Sequence, residues 1–218
     1  MAEIDLLVHY PKTKRDNQKR AEEKTLEVQR IARQFGHEFF DGERKYGYGG
    51  YSYHPRFWQP VVPDFQKHYG LSGKSRVLDV GCAKGFMLHD FKEIIPGIEV
   101  AGIDVSAYAI ENALPDMKPF LKVADAKALP FPDKSFDLVI SINTVHNLEL
   151  PDCKKALREI QRVTRKNAFI TVDAYHNDEE KKRMNMWNLT AKTYMSVVEW
   201  KKLFLEAGYT GDYYWFIP

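Results

Sequence analysis

The stretch "VLDVGCAKGF" (77–86) decides the fold, because an apolar run ends there in a glycine-bearing turn that leads into a helical segment. Gly81 allows a tight turn and a close approach of the backbone to a ligand, and Gly85 lets the following helix start close to the strand. Asp104 ends the next apolar run, 19 residues beyond Gly85. That spacing suits a carboxylate that accepts hydrogen bonds from both hydroxyls of a ribose.

Short apolar runs alternate with helical segments around this stretch. Strands are predicted at 76–80, 99–104, 119–125, 136–142 and 167–175, with helices at 85–94, 106–113, 152–164 and 196–208. Val- and Ile-rich runs separated by helices indicate a parallel sheet covered on both faces. The predicted fold class is therefore α/β, a Rossmann-like, doubly wound and mostly parallel sheet. Its crossovers would bring the carboxyl ends of the strands to one edge, where ligands bind.

Chain length, net charge and apolar runs limit the class of protein further. A chain of 218 residues fits one domain with an extension, divided here into an N-terminal helix and aromatic lid segment (1–69) and a cofactor-binding domain (70–218). A net charge of +2 gives no argument for nucleic acid or membrane. The chain shows no signal peptide and no apolar run long enough to span a bilayer, so we expect a cytoplasmic protein. An amphipathic helix is predicted over 16–35.

Four motifs resemble the class I S-adenosylmethionine-dependent methyltransferases, in particular the small-molecule type that includes the quinone-ring methyltransferases. They are "VLDVGCAKGF", "GIDVSAYAIENA" (102–113), "VADAKALPFPDKSFDLVIS" (123–141) and "ALREIQRV" (156–163), and they occur in the order and at the spacing of that family. The resemblance covers residues 70–175. It implies a Rossmann-like fold, S-adenosyl-L-methionine as the cofactor and a small-molecule acceptor.

The resemblance also assigns cofactor-binding positions. It implies that Asp79 and the backbone of Gly81, Cys82, Ala83 and Gly85 hold the methionine moiety. Asp104 would take the ribose, Val105 the adenine face, and Asp125 and Ala126 the adenine edge. Ala83 stands where the family has the middle of three glycines, and a single methyl group still fits. Only one strand, within "GDYYWFIP" (211–218), follows the last helix, where many members of the family have two.

Polar residues after the fourth and fifth strands are the catalytic candidates. Methyl transfer from a sulfonium is an in-line displacement that needs a base only if the acceptor must lose a proton. His146 is the preferred base, since imidazole titrates near neutral pH, and a hydrogen-bonding role without chemistry is weighed equally. Asn143 and Asp173 complete the set. Asp173 and His176 lack further ligands, so no metal is expected.

The stretch "ERKYGYGGYSYHPRFW" (43–58) combines tyrosines and glycines. Gly49-Gly50 suits a two-residue turn, which predicts a hairpin whose tyrosine rings project from one side. The functional hypothesis is a lid over the acceptor pocket; the alternative is a packing element that fills a surface groove. The substrate-binding candidates are Tyr46, Tyr48, Tyr51, Tyr53, His54 and Arg56.

The sequence leaves several functions open. The leading hypothesis is methylation of oxygen or nitrogen on a small polar metabolite, such as a sugar or another biosynthetic intermediate. A methyltransferase that acts on RNA or protein would use the basic run 12–20 as an anchor, although the near-neutral charge argues against nucleic acid. A non-catalytic cofactor-binding module is the third possibility. The oligomeric state is open, a homodimer included.

Overall fold

A computed structural model describes residues 1–12 and 15–218. Residues 13 and 14, part of the basic run 12–20, lie outside the described residues. The helices are α1 (Asn17–Glu23), α2 (Leu26–Ala32), α3 (His37–Phe40), α4 (Val62–Tyr69), α5 (Phe86–Ile94), α6 (Ala107–Glu111), α7 (Leu150–Val163), α8 (Asp178–Trp187) and α9 (Val197–Ala207). The strands are β1 (Arg76–Val80), β2 (Glu99–Asp104), β3 (Leu121–Val123), β4 (Phe136–Ile142), β5 (Thr164–Tyr175), β6 (Met195–Ser196) and β7 (Asp212–Phe216).

The strands form one sheet with the order β3-β2-β1-β4-β5, and both β6 and β7 pair with β5. Every pairing among these strands is parallel. The predicted α/β, doubly wound, mostly parallel fold is confirmed. One strand follows α9, as predicted, and it lies beside β5 in register from Phe169–Asp212 to Asp173–Phe216.

Each face of the sheet carries its own apolar core. Helices α7 and α9 pack on one face, where Leu157 and Phe204 are fully buried. Helices α4 and α5 pack on the other face, with Phe65 and Phe91. Because side chains alternate along a strand, a parallel strand buried on both faces must be apolar nearly throughout, as β4 is.

The prediction of a single helix over 16–35 is wrong in detail. Two helices form, because Thr25 interrupts the run: its hydroxyl accepts a hydrogen bond from the Val28 amide and starts α2 as an N-cap. Asp16 caps α1 in the same way, through the Lys19 amide.

The predicted hairpin at Gly49-Gly50 does not form. Both glycines adopt the left-handed region, with φ of 95° and 80°, but no strands flank them, and a short 3-10 helix (Arg44–Tyr46) precedes them. The tyrosine rings do not share a face. Tyr48 bonds to the chain near residue 189 and Tyr53 bonds to α5, so separate tertiary contacts replace cross-strand pairing.

Candidate active site

The turn between β1 and α5 has a left-handed backbone at three alternate positions. Gly81, Ala83 and Gly85 have φ of 89°, 49° and 81°. A Cβ on Gly81 would lie 2.1 Å from Oγ1 of Thr144, so only glycine fits there. Ala83 is strained in this region by about 1–2 kcal/mol. Its amide donates to Asp104 Oδ2 at 2.9 Å, which holds the alanine in the conformation that the family's middle glycine adopts freely.

Two buried carboxylates lie beside this turn, at the carboxyl ends of β1 and β2. Asp104 accepts hydrogen bonds from the amides of Ala83 and Ser106, both at 2.9 Å, and burial raises its pKa. Within the described ranges, no group donates a hydrogen bond to the carboxylate of Asp79. Burial, and next the charge of Asp104, raise the pKa of Asp79 to about 7. A buried acid of this kind is suited to bind a cationic group.

The remaining predicted cofactor residues follow β1, β2 and β3. Val105 is 60% exposed directly after Asp104 and offers an apolar surface. Asp125 is exposed and Ala126 is buried, one turn after β3. Cys82 is buried, which raises the pKa of its thiol, and its amide donates to Ile103 O at 3.0 Å. The predicted residues therefore line one edge of the sheet.

His146 has no free basic nitrogen in this structure. Its Nδ1 accepts a hydrogen bond from the Asp173 amide at 2.9 Å, so the ring proton is assigned to Nε2. Burial lowers the pKa of the imidazole to about 3. The 3.6 Å separation of Nδ1 from Asp173 Oδ1 is therefore not an ion pair, since the ring is neutral. The geometry therefore favours the alternative role of His146, hydrogen bonding without chemistry, over its predicted role as a base.

Asn143 is also held by its surroundings. Its backbone is left-handed, with φ of 52°, and its Oδ1 accepts a hydrogen bond from Thr171 Oγ1 at 3.0 Å. The Asn143 amide donates to the same hydroxyl oxygen. These contacts join the ends of β4 and β5. They fix the loop that carries Thr144 onto Gly81.

The tyrosines of 43–58 lie in different places. The hydroxyl of Tyr48 accepts hydrogen bonds from the amides of Leu189 and Thr190, at 2.7 and 3.3 Å, and burial raises its pKa to about 12. Tyr53 donates to Asp90 Oδ1 at 2.7 Å, on α5.

The other candidates of this stretch differ in exposure. Tyr46 packs with Tyr48 against the small cluster that contains Val28 and Leu189. The Tyr51 hydroxyl is buried and has no hydrogen-bond partner in the described part of the chain. His54 and Arg56 are exposed, and Arg56 lies over the ring of Phe57, 4.7 Å from its centroid.

The N-terminal segment contacts the glycine turn directly. Lys84, buried within the turn, donates to both carboxylate oxygens of Asp41 at 2.5 and 2.7 Å and to Tyr51 O at 2.8 Å. Tyr108 on α6 donates to Asp41 Oδ2 at 2.6 Å. Residues 35–51 therefore lie across the ends of β1 and β2, where the cofactor residues are.

Metal-ligand groups and membrane-spanning helices were sought among the described residues. Within residues 1–12 and 15–218, no three His, Cys, Asp or Glu side chains form a group that could hold a metal ion. Across the same ranges, none of the helices has the length and apolar character needed to cross a bilayer.

Comparison with known proteins finds a similarity to methyltransferases. A family profile described as a methyltransferase domain matches residues 78–172. The 2-methyl-6-phytyl-1,4-hydroquinone methyltransferase of Synechocystis is 32% identical over 120 residues, which cover 51% of this chain and 36% of that protein. Residues 78–172 of this chain are therefore similar to a methyltransferase domain.

Other methyltransferases and solved structures are also similar to this chain. The ajmaline N-methyltransferase of Rauvolfia serpentina is 34% identical over 111 residues, 47% of this chain and 37% of that protein. The chain spans about two fifths or less of the length of these curated relatives. The crystal structure of YcgJ from Bacillus subtilis shares the fold, with a TM-score of 0.55, 24% identity and coverage of 67% of this chain and 66% of that one. The Haemonchus contortus phosphoethanolamine N-methyltransferase 2, solved with S-adenosylhomocysteine, has a TM-score of 0.55 at 19% identity, covering 80% of this chain and 40% of that one.

The predictions from the sequence missed the residues of this chain that join distant segments. Asp41 and Lys84 were not singled out, although a lysine inside a glycine turn is a charged group at a place that must be buried. Arg15 and Phe216 were also missed, since neither belongs to a motif. They meet at the ring of Trp187 on α8.

Proposed function

We propose that the protein is an enzyme that binds S-adenosyl-L-methionine and transfers its methyl group to oxygen or nitrogen of a small polar acceptor. The observation that carries this proposal is the pair of buried acids, Asp79 and Asp104, on either side of a left-handed glycine turn. The match of residues 78–172 to a methyltransferase domain supports it, as does the presence of S-adenosylhomocysteine in the Haemonchus enzyme.

The residues present fit this cofactor. Asp79, which lacks a hydrogen-bond donor among the described residues, would take the ammonium of the methionine moiety. Asp104 keeps lone pairs beyond the two amides it already accepts from, and these would take the ribose hydroxyls. The exposed side chain of Val105 would pack on the adenine, with Asp125 and Ala126 at its edge.

The cofactor supplies a methyl group on a positively charged sulfur, which leaves as a neutral thioether. The chain then has to orient the acceptor and exclude water. The N-terminal segment suits this task as a lid, because its Asp41 is bonded to Lys84 in the glycine turn while its Tyr48 is bonded to the chain at residues 189–190. We assign residues 1–69 to this lid and 70–218 to the cofactor-binding domain. A cytoplasmic location and the oligomeric state remain predictions from the sequence.

Calorimetric titration with S-adenosylhomocysteine tests the cofactor site. We expect Asp104→Asn to weaken binding about a hundredfold, since it removes a charged acceptor of two hydrogen bonds. Asp116→Asn is a matched control, because Asp116 is an exposed acid bonded to His89. Equal affinities in the two variants would refute the assignment of Asp104.

Turnover separates the remaining functions. Transfer of labelled methyl to small amines or alcohols supports the proposal. Cofactor binding without transfer to any acceptor would indicate a non-catalytic module. Salt-sensitive binding of RNA would favour a macromolecular substrate.

A further inference from the structure

The carboxyl end of β5 places Asp173 on the same face of the sheet as the cofactor acids. Val172 and Ala174 point into the core under α7 and α9, so the alternate residues Phe169 and Asp173 lie on the opposite face. On β1, Leu78 and Val80 likewise point toward α7 and α9, which puts Asp79 on the face of Asp173. β4 alone separates these two strands. Asp173 therefore lies next to the cofactor site, on its acceptor side.

Three aromatic rings adjoin Asp173. Phe216 is its partner in the parallel register with β7. The ring of Trp187 lies 6.3 Å from that of Phe216 and 5.7 Å from that of Tyr48, with interplanar angles of 33° in both cases. We call Tyr48, Trp187 and Phe216 the aromatic cluster. Its rings present their faces, the negative part of each quadrupole, in similar directions.

Two guanidinium groups lie on the cluster, and they are held differently. Arg20 is buried and donates to the carbonyl oxygens of Lys45 and Gly47, so it is part of the packing. Arg15 lies 4.7 Å from the centroid of Phe216 and 5.4 Å from that of Trp187. The side chain of Arg15 makes no hydrogen bond or ion pair within residues 1–12 and 15–218, and the residue is exposed. It is therefore a cation that another cation could displace.

Asp173 is the acid that this arrangement leaves without a donor. Its carboxylate receives no hydrogen bond from the described residues, and His146 Nδ1, 3.6 Å from Asp173 Oδ1, is neutral and accepts from the Asp173 amide. Its backbone is fixed, because its amide donates to His146 and its carbonyl accepts from Trp200 Nε1 at 2.9 Å. Burial raises the pKa of Asp173 to about 7, and the charge of Arg15 opposes that rise. The side chain is 7% exposed, so it is nearly enclosed.

We propose that Asp173 and the aromatic cluster form the acceptor subsite for an amine, which binds as its ammonium ion in the place that Arg15 occupies here. This inference rests on the proposed function and narrows its acceptor class. A rigid, nearly buried carboxylate beside aromatic faces is the chemistry that recognises an organic cation. The guanidinium of Arg15 shows that a cation fits against two of the three rings.

Methyl transfer in this subsite conserves protons and electrons. The bound ammonium gives one proton to the Asp173 carboxylate and becomes a neutral amine. Its lone pair forms the N–C bond while the S–C bond breaks, and that electron pair returns to sulfur. The product is a methylated ammonium ion, and the proton on Asp173 passes to solvent. No other base is needed, which agrees with the engagement of His146 Nδ1 by the Asp173 amide.

The subsite is tested with three probes that share a phenyl ring and differ in charge: benzyltrimethylammonium, benzyl alcohol and benzoate. Binding to the 218-residue chain is measured by calorimetry, with and without S-adenosylhomocysteine. We expect the ammonium to bind at least tenfold more tightly than the alcohol. Asp173→Asn should reduce this preference about tenfold, and Arg15→Gln should increase the affinity for the ammonium about threefold. Circular dichroism and S-adenosylhomocysteine affinity verify that each variant is folded.

Two outcomes would overturn the inference. Tighter binding of benzoate, lost in Arg15→Gln, would make Arg15 an anion-binding residue. Equal binding of all three probes would show that the subsite does not distinguish ligands by their charge. Failure of the proposed function appears separately, as the absence of S-adenosylhomocysteine binding by the unaltered protein, because the ammonium preference can be measured without that ligand.

Discussion

The cofactor side and the acceptor side of this sheet are built in different ways. The cofactor side draws its acids from two short segments, 79–85 and 104–106, and the Asp104 carboxylate accepts hydrogen bonds from backbone amides of both. The acceptor side joins Arg15, Tyr48, Asp173, Trp187 and Phe216, which are far apart in sequence. A local site can tolerate a change in the surrounding chain, whereas a site assembled from distant residues depends on the packing of the N-terminal segment.

The first test of this comparison breaks the contact between Lys84 in the glycine turn and Asp41 in the N-terminal segment. Lys84→Met removes a buried charge that binds Asp41 and leaves that carboxylate with Tyr108 as its remaining donor. We expect a loss of about 2–3 kcal/mol in the free energy of unfolding, measured in urea. Amide exchange in residues 35–51 should quicken. Lys127→Met, which breaks a partly exposed pair with Asp152, is the control and should leave the free energy of unfolding nearly unchanged. Similar losses in both variants would show that Lys84 does not anchor the segment.

Removing the charge of Asp79 sharpens the comparison, because stability and cofactor binding should respond in opposite directions. Its pKa is raised from 3.8 to about 7, so ionisation is penalised in the folded state. The stability that the protonated acid provides is present below pH 4 and is lost as the pH rises through about 7. At pH 8, without cofactor, we expect Asp79→Asn to be more stable than the unaltered protein by about 2 kcal/mol.

The stability difference of Asp79→Asn should vanish near pH 4, where both side chains are neutral. Urea unfolding at the two pH values measures it. The same variant should bind S-adenosylhomocysteine more weakly. A stability difference that does not change with pH would contradict the buried, ionisable state of Asp79.

The smallest expected effect concerns Tyr48. Tyr48→Phe removes the acceptor of two amide hydrogens, those of Leu189 and Thr190, and should cost about 1 kcal/mol. Hydrogen exchange of these two amides, followed by NMR, should quicken. Arg56→Ala is the matched change on the exposed side of the same stretch, and we expect it to alter stability by less than about 0.5 kcal/mol. Unchanged exchange at both amides would show that the Tyr48 hydroxyl does not hold this loop.

The prediction from sequence was best where a physical rule acts over a few residues. The bounds of β1, β2 and β4 were predicted to the residue, because each is a short, mainly apolar run between polar turns. The prediction failed for Gly49-Gly50, where turn propensity was correct but no strand partners exist. An isolated hairpin gains little in water, so the contacts of Tyr48 and Tyr53 with other parts of the chain prevail.

His146 illustrates a second limit. The sequence places an imidazole after the fourth strand, and its ordinary pKa makes it a reasonable base. Whether a nitrogen is free depends on which backbone amide points at it, and that amide belongs to Asp173 on another strand. Burial and hydrogen bonding are properties of the folded chain, so the sequence could not decide between the two roles.

The sequence by itself determined the alternation of strands and helices, the glycine turn and the two acids beside it, because these depend on periodicity, backbone freedom and short spacings. Tertiary structure alone decided that Lys84 binds Asp41, that Asp173 lacks a donor among the described residues, and that Arg15 lies on the rings of Trp187 and Phe216. These contacts join segments whose distance in sequence carries no signal. Only the packing of the chain, which buries apolar surface and pairs the polar groups it encloses, brings them together.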